Sequence, residues 1–389
     1  MISTEQAFSI LENLNYSKRI VELSLLEARN YVLAETVFSP MNMPPFRQAT
    51  MDGFAICLHN SLHYEIIGEV KAGDFYLKEL KPGQAVKIFT GAAVPNSANT
   101  VIQIEKVTVT NSDLQLHEST KPEANIRQLG AQITKNAVAL KEGTLLNPAA
   151  IGFLAGLGFT KVKVYQKPKV GIVITGNELI SVGEILTNGK VYESNAIMLQ
   201  TALFNASFNE VSLYKVNDDF ENTKNTLKKA INENDVAIVT GGISVGDYDF
   251  VGKALESMKV ETLFYKVNQK PGKPLFAGKL NDKIIFALPG NPAASLTCFY
   301  VYVLPTLQRF SGNASFYGSQ LKKNLAHDYV VDNPRCQFLK ALLIADEVSI
   351  LSHQDSGMLN SFAMANALVY LPNGVYQMLK GEKVVVYSI

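Results

Sequence analysis

The sequence predicts a multidomain α/β and β protein: an elongated N-terminal domain interrupted by an inserted β-rich domain, a doubly wound α/β domain, and a small C-terminal β domain. Three observations predict it. The runs VGIVIT (170–175), VSLYKV (211–216), DVAIVT (235–240) and KIIFAL (283–288) are nearly continuous in apolar residues and alternate with amphipathic stretches. That pattern belongs to a parallel sheet covered on both faces by helices. Between Pro40 and Glu123 the texture is different, with short runs rich in valine, isoleucine and threonine punctuated by glycine, proline and asparagine. Helical patterns stand on either side of this stretch, so one domain is interrupted by another.

Ser3 and Gln6 have capping-box spacing and open a helix over 3–14, with Ala7, Phe8, Ile10, Leu11 and Leu14 at helical intervals. Ser24 and Glu27 repeat the box and predict a second helix carrying Leu25, Ala28, Tyr31 and Val32 up to Ser39-Pro40. Strands follow at YEIIGEV (64–70), AVKIFTG (85–91) and TVIQIEKVTV (100–109). Asn147 as N-cap and Pro148 at the first helical position predict a helix over 145–159. Beyond the first α/β strand, helices are predicted from Asn195, over 218–233, from Asp249, and from Pro292 to about Gln308. After Ser311-Gly312-Asn313 the chain returns to short strands ending in KVVVYS (383–388). The expected divisions are 1–39 with 124–166, 40–123, 167–312 and 313–389.

Composition narrows the function. With 36 basic and 35 acidic residues among 389, the formal charge of +1 supplies no broad field for nucleic acid or an anionic membrane. An anion must therefore be held locally. No apolar run approaches the length of a membrane span, and the first residues lack the basic and apolar regions of a signal peptide, so the cytoplasm is the expected compartment. Cys57, Cys298 and Cys336 are too scattered for a disulfide framework or a Cys-x-x-Cys site, and the five histidines form no zinc pairing. Neither a Walker loop nor a Gly-x-Gly-x-x-Gly fingerprint is present.

In an open parallel sheet, ligands bind beyond the carboxyl ends of the strands. Three loops there carry polar clusters: TGNEL (175–179), TGGISVGDYD (240–249) and LPGNPAAS (288–295). In the second, Gly241, Gly242 and Gly246 surround Ser244, and Asp247 and Asp249 stand at the start of a helix. Such a loop admits a phosphate close to backbone N–H groups and offers carboxylates to a hard cation. It is equally a simple turn with Asp249 as N-cap. KPGKP (270–274) fixes Lys270 and Lys273 at close spacing, either as an anion clamp or as a solvated pair. Asp52 in ATMDGFAI (49–56), Thr90 with Gly91, and Ser356 with Gly357 all read as turns that admit a functional role.

Taken together, MDGFA, FTGAAVP with a downstream IE, NIRQLG, TGNEL, YESNA, GGISVGDYD, QKPGKP, LPGNP and SGMLNSFAMANAL resemble, in order, the MoeA/gephyrin E-domain family of molybdopterin molybdenumtransferases across almost the whole chain. The resemblance implies an α/β domain like that of molybdopterin adenylyltransferase and a C-terminal β-barrel. It implies insertion of molybdate into adenylylated molybdopterin with release of AMP, with magnesium as cofactor and molybdate as substrate. It further implies a homodimer, with molybdopterin adenylyltransferase as a candidate partner and neither nucleic acid nor membrane. Glu178 and Asp249 match acidic positions near cation and pyrophosphate, Asp218 or Asp219 another, and Gly241, Gly242, Ser244, Gly246 and Asp247 the phosphate-side loop. Lys270 and Lys273 match the oxyanion loop, Pro289, Asn291 and Pro292 the pterin side, and Ser356 a serine of the last domain. Asp52 and Thr90 match residues expected to reach the partner's site. Gln132 and Asn177 stand where the family usually has carboxylates. The alternatives are a non-catalytic molybdopterin-binding scaffold and a paralogue using tungstate.

Overall fold

The computed structural model describes residues 1–76, 78–243, 250–314 and 320–389. The chain forms two compact units, one of residues 22–29 and 35–162, the other of 1–21, 30–34 and 163–389.

The first unit is built on a six-stranded sheet in the order 100–103, 53–56, 84–88, 63–70, 113–116 and 107–110. Its side chains alternate between two cores, because a strand points successive residues to opposite faces. Ala55, Val86, Ile88 and Val101 fill one, and Phe54, Ile56, Tyr64 and Ile102 the other. The helix Pro148–Gly156 starts as its sequence predicts, with the Asn147 side chain accepting the Ala150 N–H at 2.9 Å.

The second predicted helix does not form. Residues 20–24 are a strand paired with 161–165. The Ser24–Glu27 box does close, with the Ser24 hydroxyl donating to Glu27 at 2.6 Å and the Ser24 N–H at 3.1 Å. It wraps a single turn, because Asn30 enters the left-handed region at φ 62° and the chain then runs extended through buried Val32 and Leu33. A local cap cannot extend a helix whose next residues are drawn into a core.

In the second unit, the α/β sheet comprises β1 (Val170–Thr175), β2 (Val211–Val216), β3 (Val236–Thr240), β4 (Glu261–Tyr265), β5 (Phe276–Leu280) and β6 (Lys283–Leu288). Their spatial order is β2-β1-β3-β6-β5-β4. The first four are parallel as predicted, and β5 and β4 add an antiparallel edge that was not predicted. Helices α1 (Asn195–Asn205), α2 (Phe220–Glu233) and α3 (Phe250–Ser257), with α4 running from Pro292 to Phe310, cover both faces. Ile172, Ile174, Ile238, Phe286 and Leu288 face a core shared with α1 and α4. Val173, Ala237, Val239, Ile285 and Ala287 face a second core with α2 and α3.

Helix α4 is buried almost throughout and widens to a π-turn at Phe299–Val303. Pro305 explains it, since proline has no N–H to give the carbonyl four residues back. The Leu304 N–H accordingly donates to Phe299. The N-terminal helix Thr4–Glu12 carries the predicted capping box and contributes Ala7, Phe8 and Leu11 to the α1/α4 core.

At the C-terminus, strands 336–344, 347–350, 320–325, 383–388 and 367–371 pair in that order, and the last pairs back with the first. This closes a five-stranded barrel around Leu339, Ala341, Val348, Val369 and Val386.

Candidate functional site

Strands β1 and β3 are neighbours whose chain connections leave in opposite directions, so the carboxyl ends of this pair form the crevice where open α/β sheets bind ligands. The loop after β3 enters it at Gly241 with φ +85°, where a side-chain Cβ would sit 2.6 Å from the Thr175 carbonyl oxygen. Only glycine fits that approach. Gly242 is equally confined, by Val251 and Thr175. Gly242 to Gly246 also has the Gly-x-Ser-x-Gly spacing of a serine elbow. Ser244, Gly246, Asp247 and Asp249 lie outside the described residues.

The loop after β1 places Asp218 and Asp219 in different surroundings. Asp219 is the N-cap of α2 and accepts the Asn222 N–H at 2.9 Å. Asp218 instead accepts the Thr175 hydroxyl and, at 3.0 Å, the Asn177 N–H, while its own N–H donates to the Asn177 side-chain oxygen at 3.1 Å. Asn177 thus serves as an acceptor, a role that its amide oxygen performs as well as a carboxylate would. Glu178 is exposed, and its carboxylate makes no hydrogen bond or ion pair among the described residues. Lys190, absent from the predicted set, donates to the Asn177 carbonyl at 2.5 Å.

The loop after β6 joins this group through small residues, Gly290 lying against Gly241. Pro289 is buried and Pro292 occupies the first turn of α4. Asn195, at the start of α1, donates to the Gly290 carbonyl at 2.8 Å, and its own side-chain oxygen is buried with no partner among the described residues. Asn291 donates to the Ser356 hydroxyl at 2.8 Å, and the Ser356 carbonyl accepts the Ala294 N–H at 3.2 Å. A loop of the C-terminal barrel is thereby brought to the entrance of α4, a contact that sequence spacing could not show.

Lys270 and Lys273 are both exposed on a turn anchored from below. Gln269 is fully buried, donates to the Pro271 carbonyl at 3.0 Å, and accepts the Tyr302 hydroxyl from the π-turn of α4. Gly272, at φ +89°, packs so close to Cys298 that a Cβ would lie 2.5 Å from its sulfur. Burial pushes the Cys298 thiol up to about 12, so it remains a protonated packing group. Arg335 donates to the Gln269 carbonyl at 3.4 Å, adding a third cation at the root of the turn. Neither Gln269 nor Arg335 was singled out from sequence. Gln269 stood inside a quoted motif, but only burial reveals its task.

Asp52 and Thr90 belong to the other compact unit and are direct partners there. One Asp52 oxygen accepts both the main-chain N–H and the hydroxyl of Thr90, each at 2.7 Å. These bonds, the main-chain one foremost, hold the carboxyl below its ordinary pKa. Gln132 is exposed, its main-chain N–H donating to Met43 at 2.9 Å. Among the described residues no helix is long and apolar enough to cross a membrane. No group of three or more His, Cys, Asp or Glu positioned to hold a metal ion occurs among those residues either.

Comparison with known proteins agrees with the arrangement over the whole length. The "MoeA N-terminal region (domain I and II)" matches residues 2–158, a "Probable molybdopterin binding domain" 171–309, and the "MoeA C-terminal region (domain IV)" 323–389. The molybdopterin molybdenumtransferase of Staphylococcus epidermidis is 32% identical over 96% of this chain and 92% of its own. That of Staphylococcus aureus is 31% identical over the same shares. The crystal structure of the molybdopterin biosynthesis MoeA protein from Pyrococcus horikoshii superposes with a TM-score of 0.84 at 30% identity, covering all of both chains. A molybdenum cofactor biosynthesis protein from Pyrococcus furiosus shares the fold at 22% identity and a TM-score of 0.62. With this identity sustained along nearly the whole chain, and its motifs gathered at the ends of β1, β3 and β6, the protein is a member of the MoeA family, the molybdopterin molybdenumtransferases.

Proposed function

We propose that this enzyme inserts molybdate into adenylylated molybdopterin and releases AMP, forming the molybdenum cofactor. The observation that carries the reading is the convergence of the TGNEL loop, Gly241-Gly242 and the LPGNP loop at the β1/β3 crevice, where Gly241 and Gly242 are too confined for any side chain. A confined backbone of this kind suits a pyrophosphate, whose oxygens need N–H donors at close range. Exposed Glu178 is the carboxylate free to orient and deprotonate a water at the phosphate. The water's oxygen forms a new bond to the adenylyl phosphorus as the phosphoanhydride bond breaks, its proton passes through Glu178 to bulk solvent, and AMP leaves carrying that oxygen. Lys270 and Lys273 hold the oxyanion, molybdate, and the dithiolene sulfurs of the pterin replace oxo ligands, each departing oxide leaving as water with protons from the thiols and solvent. Pro289, Asn291 and Pro292 flank the pterin.

Magnesium suits the donors present. It asks for few protein oxygens and keeps several waters, and Glu178 offers an unengaged carboxylate, with Asp249 as the second expected ligand. When bound it supplies positive charge that neutralises the phosphate oxygens. We assign residues 1–39 with 124–166, 40–123, 167–312 and 313–389 as domains I to IV of a cytoplasmic homodimer. The Asp52–Thr90 pair of one subunit serves its partner's site, and a molybdopterin adenylyltransferase supplies the substrate. The test is incubation of purified protein with adenylylated molybdopterin, magnesium and molybdate. AMP release that depends on molybdate is expected, and binding of the substrate with no release would overturn the enzymatic reading.

A further inference from the structure

Lys340 lies on barrel strand 336–344 and is 3% exposed, an unusual place for an ammonium group. Its three N–H bonds are directed at a single loop, 351–361. The ammonium lies 2.7 Å from the His353 carbonyl, 2.7 Å from the Ser361 hydroxyl, 3.2 Å from the Met358 carbonyl and 3.3 Å from the Asp355 carbonyl. Ser361 in turn donates to the His353 carbonyl at 2.8 Å, closing the loop on itself. Gln354 clamps the loop's stem, donating to the Lys340 carbonyl and accepting the Lys340 N–H, both at 2.9 Å. At the tip of this loop is Ser356, which meets Asn291 and Ala294 at the entrance of α4.

We infer that Lys340 is a positioning residue: its buried ammonium folds loop 351–361 around itself and so sets Ser356 against Asn291 at the pterin side of the site. This rests on the proposed assignment of Asn291 and Ser356 to the substrate. The physical reason for a lysine is the number of acceptors. Three main-chain carbonyls pointing inward at one spot repel each other, and a cation with several donors relieves all of them at once. An apolar residue of the same length would fill the space but remove the cation, leaving the three carbonyls only the Ser361 hydroxyl and the Met358 N–H to share. Burial draws the lysine's pKa down and the Asp355 charge draws it back up.

The experiment compares Lys340→Met, Ser356→Ala and the double variant in molybdate-dependent AMP release. Hydrogen exchange is followed at the Ala294 amide, which the Ser356 carbonyl covers. Lys340→Met is expected to raise KM for adenylylated molybdopterin about tenfold with little change in kcat, to speed exchange at Ala294, and to add almost nothing once Ser356 is alanine. Lys340→Arg keeps the charge and should recover most of the Ala294 protection. Lys340→Gln, which removes the charge and keeps a polar end, replaces Lys340→Met in the cycle should that variant not fold. If Ser356→Ala raises KM and Lys340→Met multiplies it by the same factor in both backgrounds, the site assignment stands and the positioning role falls. Should Ser356→Ala leave KM unchanged, the assignment of Ser356 to the substrate falls and takes the proposal with it.

Discussion

Asp52 and Thr90 stand 38 positions apart in sequence, yet a single carboxylate oxygen receives both donors of the threonine. Because the folded pKa of Asp52 is depressed, the pair's contribution to stability is present above the ordinary aspartate pKa and lost as pH falls through the lowered value. Thr90→Val removes the hydroxyl and keeps the N–H, so Asp52 should titrate closer to an ordinary aspartate while remaining below it, which carboxyl NMR titration reads directly. An Asp52 that titrates unchanged would show that the hydroxyl contributes nothing. Glu178 tests the opposite situation, an exposed carboxylate without partners among the described residues. Glu178→Gln should leave thermal stability unaltered and lower turnover roughly 100- to 1000-fold, the usual loss for a preorganised charge-stabilising group. Unaltered turnover at limiting magnesium would remove it from the site. Asn177 departs from the family's carboxylate, and its side-chain oxygen accepts the Asp218 N–H, a bond that a carboxylate oxygen would also accept.

The turn that carries Lys270 and Lys273 derives its shape from helix α4 beneath it. Gly272 is in the left-handed region and within a methyl group's reach of Cys298. Gly272→Ala combines backbone strain of about 1–2 kcal/mol with overpacking of about 1–3 kcal/mol. We expect a lower urea midpoint and weaker molybdate binding measured calorimetrically, since displacement of the turn carries both lysines with it. A stability loss with unchanged molybdate affinity would separate the lysines from the oxyanion. Elements of this kind divide by how local their causes are. The cap at Asn147 and the box at Ser3 each produced the predicted helix, because the cap and the apolar face that follows act together. At Ser24 the same box formed and the helix did not, because buried Val32 and Leu33 compete for the next residues.

Across the whole molecule, the reading of a homodimer with shared sites makes a prediction that no single chain can satisfy. Asp52→Ala and Asp249→Ala subunits, each inactive alone, should regain activity when mixed, because one of the two sites in the heterodimer keeps both residues. Verified subunit exchange without recovery would show that each chain completes its own site. The parallel strands, the helices between them and the inventory of chemical groups were legible in the sequence, since periodicity and glycine, proline and cap positions act over a few neighbours. So was family membership, because the motifs recur in order along the chain. The antiparallel edge of β4 and β5, the closure of the barrel, the different hydrogen-bond partners of Asp218 and Asp219, and the support given by Gln269 and Lys340 were decided only by tertiary structure. Each depends on groups far apart in sequence meeting, which spacing cannot show, and where the meeting is buried, as at Gln269 and Lys340, an unpaired donor or acceptor is costly.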